Sequence, residues 1–478
     1  MEIVVKFNNN IFTKYQLNIT KFKTLPGLAL AAYTSNYIPD NLKSEIKMIK
    51  GELEKEIRTS YYGGNVDVFI NYIENGYYYD MNSQYPKAML EDMPVGDPNL
   101  SLEKDLNKIF GFIYGEITCP EEDVLRVPFV QYRTPVTDWV SCPTSKRGTF
   151  SRLIFSEEIK YAIKFGYSIN IEYCYIFERG KDLFKDFVID HFEIKKNTSD
   201  PELKLIAKLI LNSLYGRMGM KDIENIIKIV DIKEAENLDK MSNVSVFSKL
   251  SDEKVLVKYS GQLNENLRKL YSNYSLGLEK NKTIMLNKTE LKNSGLNKKV
   301  SVPSAVHIAA AITAYARILI NDYKNIPGNP CIMSDTDSAV LPYPLPDHLV
   351  GDNLGKMRLI YKVNSGIFIK KKLYCILDEN NNLIVKSSGI DPSKLNYKLF
   401  EQLLLGNSVE VTGTSFNVDW KTLNINVVDS QITIQGLKGE IKTIPNNQDV
   451  DFKDHIKKDS DILFSNIISV FVNNKENS

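Results

Sequence analysis

The chain has 478 residues, and its 60 Lys and Arg against 59 Asp and Glu leave a formal net charge of +1. It is long enough to bury a large core and hold several domains, yet too evenly charged to be a general polycation, so any attraction for nucleic acid must come from local patches. The five cysteines, at positions 119, 142, 174, 331 and 375, form no Cys-x-x-Cys pair and have no histidine at metal spacing, which argues against a zinc module or disulfide scaffold and for free thiols in a reducing compartment.

The first sixty residues contain no secretory apolar core, and Glu2 does not fit an Arg-rich transit peptide. An acidic pair, Glu52-Leu-Glu54, lies in a charged helical run. Strand-like segments at Ile57 to Tyr62 and Val66 to Ile70 flank Gly63-Gly64, which predicts a hairpin. Next comes Tyr77-Tyr78-Tyr79, an apolar strand that delivers Asp80 at its tip within Asp80-Met-Asn-Ser-Gln-Tyr-Pro86.

A helical segment is expected from Asp182 to Lys196. Asp200-Pro201-Glu202 then reads as a helix start, with Asp as cap, Pro at the first position and Glu in the first turn. That helix should run to about Tyr215 and stop at Gly216. Lys204, Lys208, Asn212 and Tyr215, spaced four, four and three, form one stripe, opposite Leu203, Ile206, Leu209 and Ile210. The two helices should pair antiparallel.

The apolar run from Val302 to Ile320 is long, but His307, Thr313 and Arg317 make it a buried core helix rather than a membrane span. Cys331-Ile332-Met333 is a second apolar strand, ending in Ser334-Asp-Thr-Asp-Ser338. In an extended strand Asp335 and Asp337 would share a face; the same run reads equally as a hairpin turn. From residue 355 to 400 there are nine Lys and Arg against three Asp and Glu, a patch able to track a phosphate backbone. The remainder, 401–478, has seven against eleven, so only part of it can face a polyanion.

Two carboxylates at strand tips, Asp80 and Asp335, can share hard divalent ions, which take oxygen ligands and leave room for substrate phosphates. With a cation, an amide and an aromatic ring on one helix face, this is equipment for phosphoryl transfer from a nucleotide. In order and content, the Asp80, Lys208-Leu-Ile-Leu-Asn-Ser-Leu-Tyr-Gly216 and Asp335 segments resemble the A, B and C motifs of family B DNA polymerases. The surroundings are most similar to the protein-primed branch of linear plasmids and phages.

The resemblance covers nearly everything after Ser60. It implies an α+β right-handed polymerase fold with an antiparallel palm sheet: a joining remnant at 1–60, palm at 61–95 and 301–400, fingers at 181–220 and thumb at 401–478. Insertions are implied at 96–180 and 221–300. Catalytic residues would be Asp80, Asp335, Asp337 and Lys208; two Mg2+ would be held by Asp80, Met81 and Asp335. Tyr85, Lys196, Lys204, Lys208, Asn212 and Tyr215 would bind the incoming dNTP, with Tyr85 excluding a 2′-hydroxyl. Tyr61, Gly63 and Gly64, a Tyr-x-Gly-Gly element, would hold template, and Lys372 and Tyr374, a Lys-x-Tyr element, the primer terminus.

Where the family usually has an aromatic residue two positions before motif C's first Asp, this chain has Met333. The implied partners are template-primer DNA, dNTPs and a terminal protein primer, with no membrane. The expected setting is mitochondrial, organelle or plasmid encoded. Sixty residues are too few for an exonuclease domain, so no proofreading is expected of this chain. The alternatives are a non-catalytic relic that only binds DNA and a reverse transcriptase or RNA polymerase; Thr336 between the two aspartates counts against a reverse transcriptase.

Overall fold

A computed structural model describes residues 2–42, 46–121, 124–135, 140–220, 225–241, 244–260, 305–419, 424–439 and 441–442. In chain order its helices are α1 (Glu2–Tyr15), α2 (Leu25–Asn36), α3 (Gly51–Arg58), α4 (Gln84–Ala88), α5 (Ser156–Ile163), α6 (Lys185–Asn197), α7 (Pro201–Met218), α8 (Ile232–Met241), α9 (Val306–Lys324) and α10 (Tyr397–Leu404). The strands before α7 are β1 (Val66–Val68), β2 (Tyr72–Met81), β3 (Met93–Ser101), β4 (Gly111–Thr118), β5 (Tyr132–Arg133), β6 (Val140–Ser141), β7 (Thr149–Phe155) and β8 (Ser168–Gly180). Those after it are β9 (Asn225–Asp231), β10 (Val244–Lys249), β11 (Lys254–Ser260), β12 (Met333–Asp335), β13 (Ser338–Leu341), β14 (Met357–Lys370), β15 (Leu373–Asp378), β16 (Leu383–Ser387), β17 (Val409–Asp419) and β18 (Asn424–Ile434).

The central sheet has seven strands in the order β1-β12-β13-β2-β14-β15-β16, every pair antiparallel. Its strands come from two distant stretches of chain. Behind it runs α9, buried on all sides from Val306 to Arg317; a helix apolar all round belongs in a core. The expected onset at Val302 lies outside the described residues. No described helix is long and apolar enough to cross a membrane.

Helices α6 and α7 stand over the sheet, braced by α1 and α2. Asp200 caps α7 as expected, accepting from the Glu202 and Leu203 amides. Gly216 does not stop the helix, which continues to Met218. Ile210, Leu211, Leu214 and Met218 keep apolar contacts coming every three to four residues past the glycine, and that packing outweighs its cost of about 1 kcal/mol. Leu209 is exposed rather than buried, its place inward taken by Leu211 and Leu214. Arg58 finishes the helix end by donating to the carbonyls of Gly219 (2.8 Å) and Met220 (3.2 Å).

The expected hairpin around Gly63-Gly64 does not form. Ile57 is buried in the last turn of α3, where acids in the first turn and Lys55 and Arg58 in the last suit the helix dipole, and β1 pairs instead with β12. Residues 61–65 are an irregular loop.

Between the sheet and α6 the chain makes a four-stranded antiparallel sheet, β3-β8-β4-β7, covered by α5 around its own core of Ile113, Ile117, Ile154, Ile159 and Cys174. After α7 come a three-stranded sheet, β10-β11-β9, and α8; much of the second expected insertion lies outside the described residues. Helix α10 and the β17-β18 hairpin pack on the far end of the central sheet through Phe400, Leu403, Val411 and Ile434. Residues 443–478 of the expected thumb lie outside the described residues. All five cysteines are free thiols.

Candidate active site

The acidic centre follows from strand register. Strand β13 lies between β12 and β2, and Ser338 stands opposite Asp335 on one side and Asp80 on the other. Directly opposed residues project from the same face of a sheet, so the two aspartates share a face two strand spacings, about 10 Å, apart at the backbone. Thr336 and Asp337 form the turn of the β12-β13 hairpin, with Asp335 at the end of β12, which resolves the two readings of that run in favour of the turn. Thr336 adopts φ 66°, unusual for a β-branched residue. The turn is held by the Thr336 amide donating to the Asn65 carbonyl (2.9 Å) and the Met81 amide donating to the Asp337 carbonyl (2.7 Å). Met333 is fully buried among Val68, Ile332 and Val340, so it fills the aromatic position as core.

Burial pushes the Asp80 carboxyl above its ordinary range, although Arg358, Lys195 and Lys208 pull it back. Asp337 is pushed up to about 6, first by burial and then by the charges of Asp80 and Asp335. Lys372, at the β14-β15 turn with φ 56°, donates to both oxygens of Asp335 (3.0 and 2.9 Å). Asp80, Asp335, Asp337 and Lys372, with Tyr78, Tyr374 and Lys386, line a cleft of about 540 Å³.

A divalent ion pair fits this donor set on the chemistry of its residues. Carboxylates crowded enough to repel one another's charge are stabilised by cations, and the Lys372 ammonium already sits on Asp335 as one. Among the described residues no three acidic, imidazole or thiol side chains form a ready-made cage; two carboxylates completed by main-chain oxygen, water and phosphate is what Mg2+ takes. The side chain of Met81 is buried, so its carbonyl is the oxygen it can offer.

Facing the acids, α7 leaves Lys204, Lys208 and Asn212 exposed on one side. Tyr215 stacks on Tyr85 with ring centroids 4.2 Å apart and planes 8° off parallel. Lys196 turns to Asn353 Oδ1 (3.1 Å), while its neighbour Lys195 reaches Ser83 Oγ (2.9 Å) beside Asp80. Two cations of the site, Lys195 and Arg358, escape the sequence reading. Lys195 was legible in the helical phase, four residues after buried His191; Arg358 comes from its register opposite Asp80 across β14 and β2.

In the loop before β1, Tyr61 packs on Gly219, where any Cβ would lie 2.6 Å from its ring. Gly63 is exposed with open space above its Cα, and Gly64 lies against Thr336. Tyr374 is buried beneath the cleft, its hydroxyl 3.1 Å from that of Tyr78.

A family model described as DNA polymerase type B, organellar and viral, matches residues 1–324. A probable DNA polymerase of Agaricus bitorquis is 40% identical over 92% of this chain, and one of Podospora anserina 31% over 84%. The chain spans 54% of the first and 33% of the second, about half or less of these relatives' length. Among solved structures, phi29 DNA polymerase complexed with primer-template DNA and incoming nucleotide substrates aligns with a TM-score of 0.63 at 18% identity, covering 88% of this chain and 69% of that one. That likeness establishes the fold, a right-handed α+β polymerase with the central sheet as palm. On the family match and the fold together, the chain belongs to the organellar and viral branch of the type B DNA polymerases.

Proposed function

We infer that this chain is a DNA-directed DNA polymerase that adds deoxynucleotides to a primer 3′-hydroxyl. The observation that carries the reading is the register Asp80–Ser338–Asp335, which sets two carboxylates on one face within reach of Lys195, Lys208 and Arg358. When bound, a pair of Mg2+ ions would stabilise the attacking and leaving oxygens of the in-line displacement. The chain's own part is to hold that centre with Asp80, Asp335 and the Met81 carbonyl, with Asp337 beside them. Lys208, Lys204 and Lys195 offset triphosphate charge, with Lys196 and Asn212 at the edge of the same face. Stacked Tyr85 and Tyr215 form a floor for sugar and base that leaves no room for a 2′-hydroxyl. Tyr61 and the open backbone of Gly63 and Gly64 receive template. Lys372, paired with Asp335 here, would grip the primer terminus, with Tyr374 supporting it from below.

Protein-primed replication of a linear plasmid, started on a terminal protein in a mitochondrial setting, is the finer reading. The organellar and viral range of the family supports it. The test is primer extension with Mg2+ comparing dNTPs with NTPs and DNA with RNA templates. Extension is expected with dNTPs on DNA, and Asp335→Ala should abolish it while leaving DNA binding nearly intact. Normal extension by Asp335→Ala would refute the mechanism. Attachment of a nucleotide to the cognate terminal protein tests the priming step.

A further inference from the structure

Three charged side chains are buried between the four-stranded sheet, α9 and the loop at 61–65. Arg317 of α9 grips Glu158 of α5 with a two-pronged contact, Nε to Oε1 at 2.6 Å and Nη2 to Oε2 at 2.8 Å, both side chains being 1% exposed. Arg152 of β7, 4% exposed, donates to the second oxygen of the same carboxylate at 3.2 Å. Two guanidiniums on one carboxylate leave a net positive charge in the interior; Arg152 Nε has no partner, and the surplus donors that are paired end on backbone oxygen. Arg152 donates to the Gln131 carbonyl, while Arg317 Nη1 donates to the carbonyls of Tyr62 (2.7 Å) and Gly63 (3.2 Å). The Arg152 guanidinium also lies over the Tyr62 ring, 4.4 Å from its centroid.

Such a triad is a poor way to gain stability, because desolvating each ion costs several kcal/mol and apolar side chains of the same volume would often serve as well. What it does provide is direction: a planar fork fixed by a carboxylate on one edge presents its remaining donor at one place. That place is the middle of a loop with no secondary-structure partner for its carbonyls. The same loop then touches the catalytic turn. The Asn65 carbonyl accepts from the Thr336 amide, and Gly64 packs on the Thr336 side chain.

We propose that Arg317 and Glu158, seconded by Arg152, are positioning residues that fix the 61–65 loop between template and the Asp335–Asp337 turn. Through them the sheet inserted between motifs A and B is tied to the catalytic turn, which gives that insertion a role beyond surface decoration. The proposal rests on the polymerase reading for its template and rate predictions. Its structural core, the loop's dependence on the triad, does not.

The test uses the full chain with Arg317→Lys, which keeps the charge and loses the fork, and Glu158→Gln, which keeps the shape and loses the charge. Amide hydrogen exchange is followed at 61–65, at 334–338 and in the inserted sheet, alongside template-primer affinity and single-turnover incorporation. Faster exchange at 61–65 and 334–338, an unchanged inserted sheet, and template-primer binding weakened about tenfold, as loss of one charged hydrogen bond implies, support the proposal. Loop exchange and affinity within about twofold of the unaltered chain overturn it. Equal loss of protection in the inserted sheet, or failure of both variants to fold, also overturns it, because the triad would then only hold the fold together. If the unaltered chain itself fails to bind primer-template, the polymerase reading fails, and loop exchange alone decides the positioning role.

Discussion

Gly64→Ala tests the contact between the 61–65 loop and the Asp335–Asp337 turn. An added Cβ would meet Thr336 Cγ2 at 2.6 Å and its Cβ and Oγ1 at 3.0 Å, where ordinary contact begins at 3.4 Å. Rotating the threonine moves Cγ2 and Oγ1 but not Cβ, which the backbone fixes at φ 66°. The methyl must therefore retreat by 0.8 Å (3.4 − 2.6) and the main chain of the turn by 0.4 Å (3.4 − 3.0). Overpacking of this kind costs about 1–3 kcal/mol. A main-chain shift near 0.4 Å takes up most of the tolerance of about 0.5 Å of a working site, and a misplacement of about 1 Å costs roughly a hundredfold in rate. Single-turnover dNTP incorporation should thus fall about 10- to 100-fold, with a modest drop in Tm. Adding Thr336→Gly removes all three contacts and suits the positive φ, so the double variant should recover most of the rate. Incorporation by Gly64→Ala within about twofold of the unaltered chain, or no recovery in the double variant, would refute the reasoning.

Lys208→Ala removes one of the charges that pull the Asp80 carboxyl back toward ionisation. It should slow single-turnover incorporation and raise the dNTP concentration needed for half-maximal rate; an unchanged rate would leave the α7 stripe a solvated face. His307 is fully buried, stacked on Phe177 at 5.3 Å, with no partner for either ring nitrogen, and burial pushes its pKa down to about 3. The unfolded chain therefore takes up a proton first as pH falls below about 6.5, and stability present above that pH is lost between about 6.5 and about 3. His191, held neutral at about 4 mainly by burial, acts in the same sense. His307→Leu should flatten the loss of stability between about pH 7.5 and 5.5 by about 1 kcal/mol in denaturant unfolding. An unaltered slope would mean that the imidazole is hydrated in the fold.

The strands that carry Asp80 and Asp335, the Asp200 cap and the stripe of Lys204, Lys208 and Asn212 were legible because each is written in neighbouring residues, as an apolar run, a cap or a helical spacing. The hairpin expected at Gly63-Gly64 and the stop expected at Gly216 failed for the opposite reason. There the local signal is real, but Arg317 and β12 claim the loop, while Leu214 and Met218 carry the helix onward into the core. Whether Asp335 and Asp337 lay on a strand face or a turn depended on β13 pairing with both β12 and β2. Arg358 beside Asp80, Lys372 on Asp335 and the Arg152–Glu158–Arg317 triad join residues that only the fold brings together. Sequence determined which groups the chain brings to the chemistry, since composition and periodicity are local. Tertiary structure decided which of them meet, since register and the pairing of buried charge are settled by packing between segments far apart in the chain.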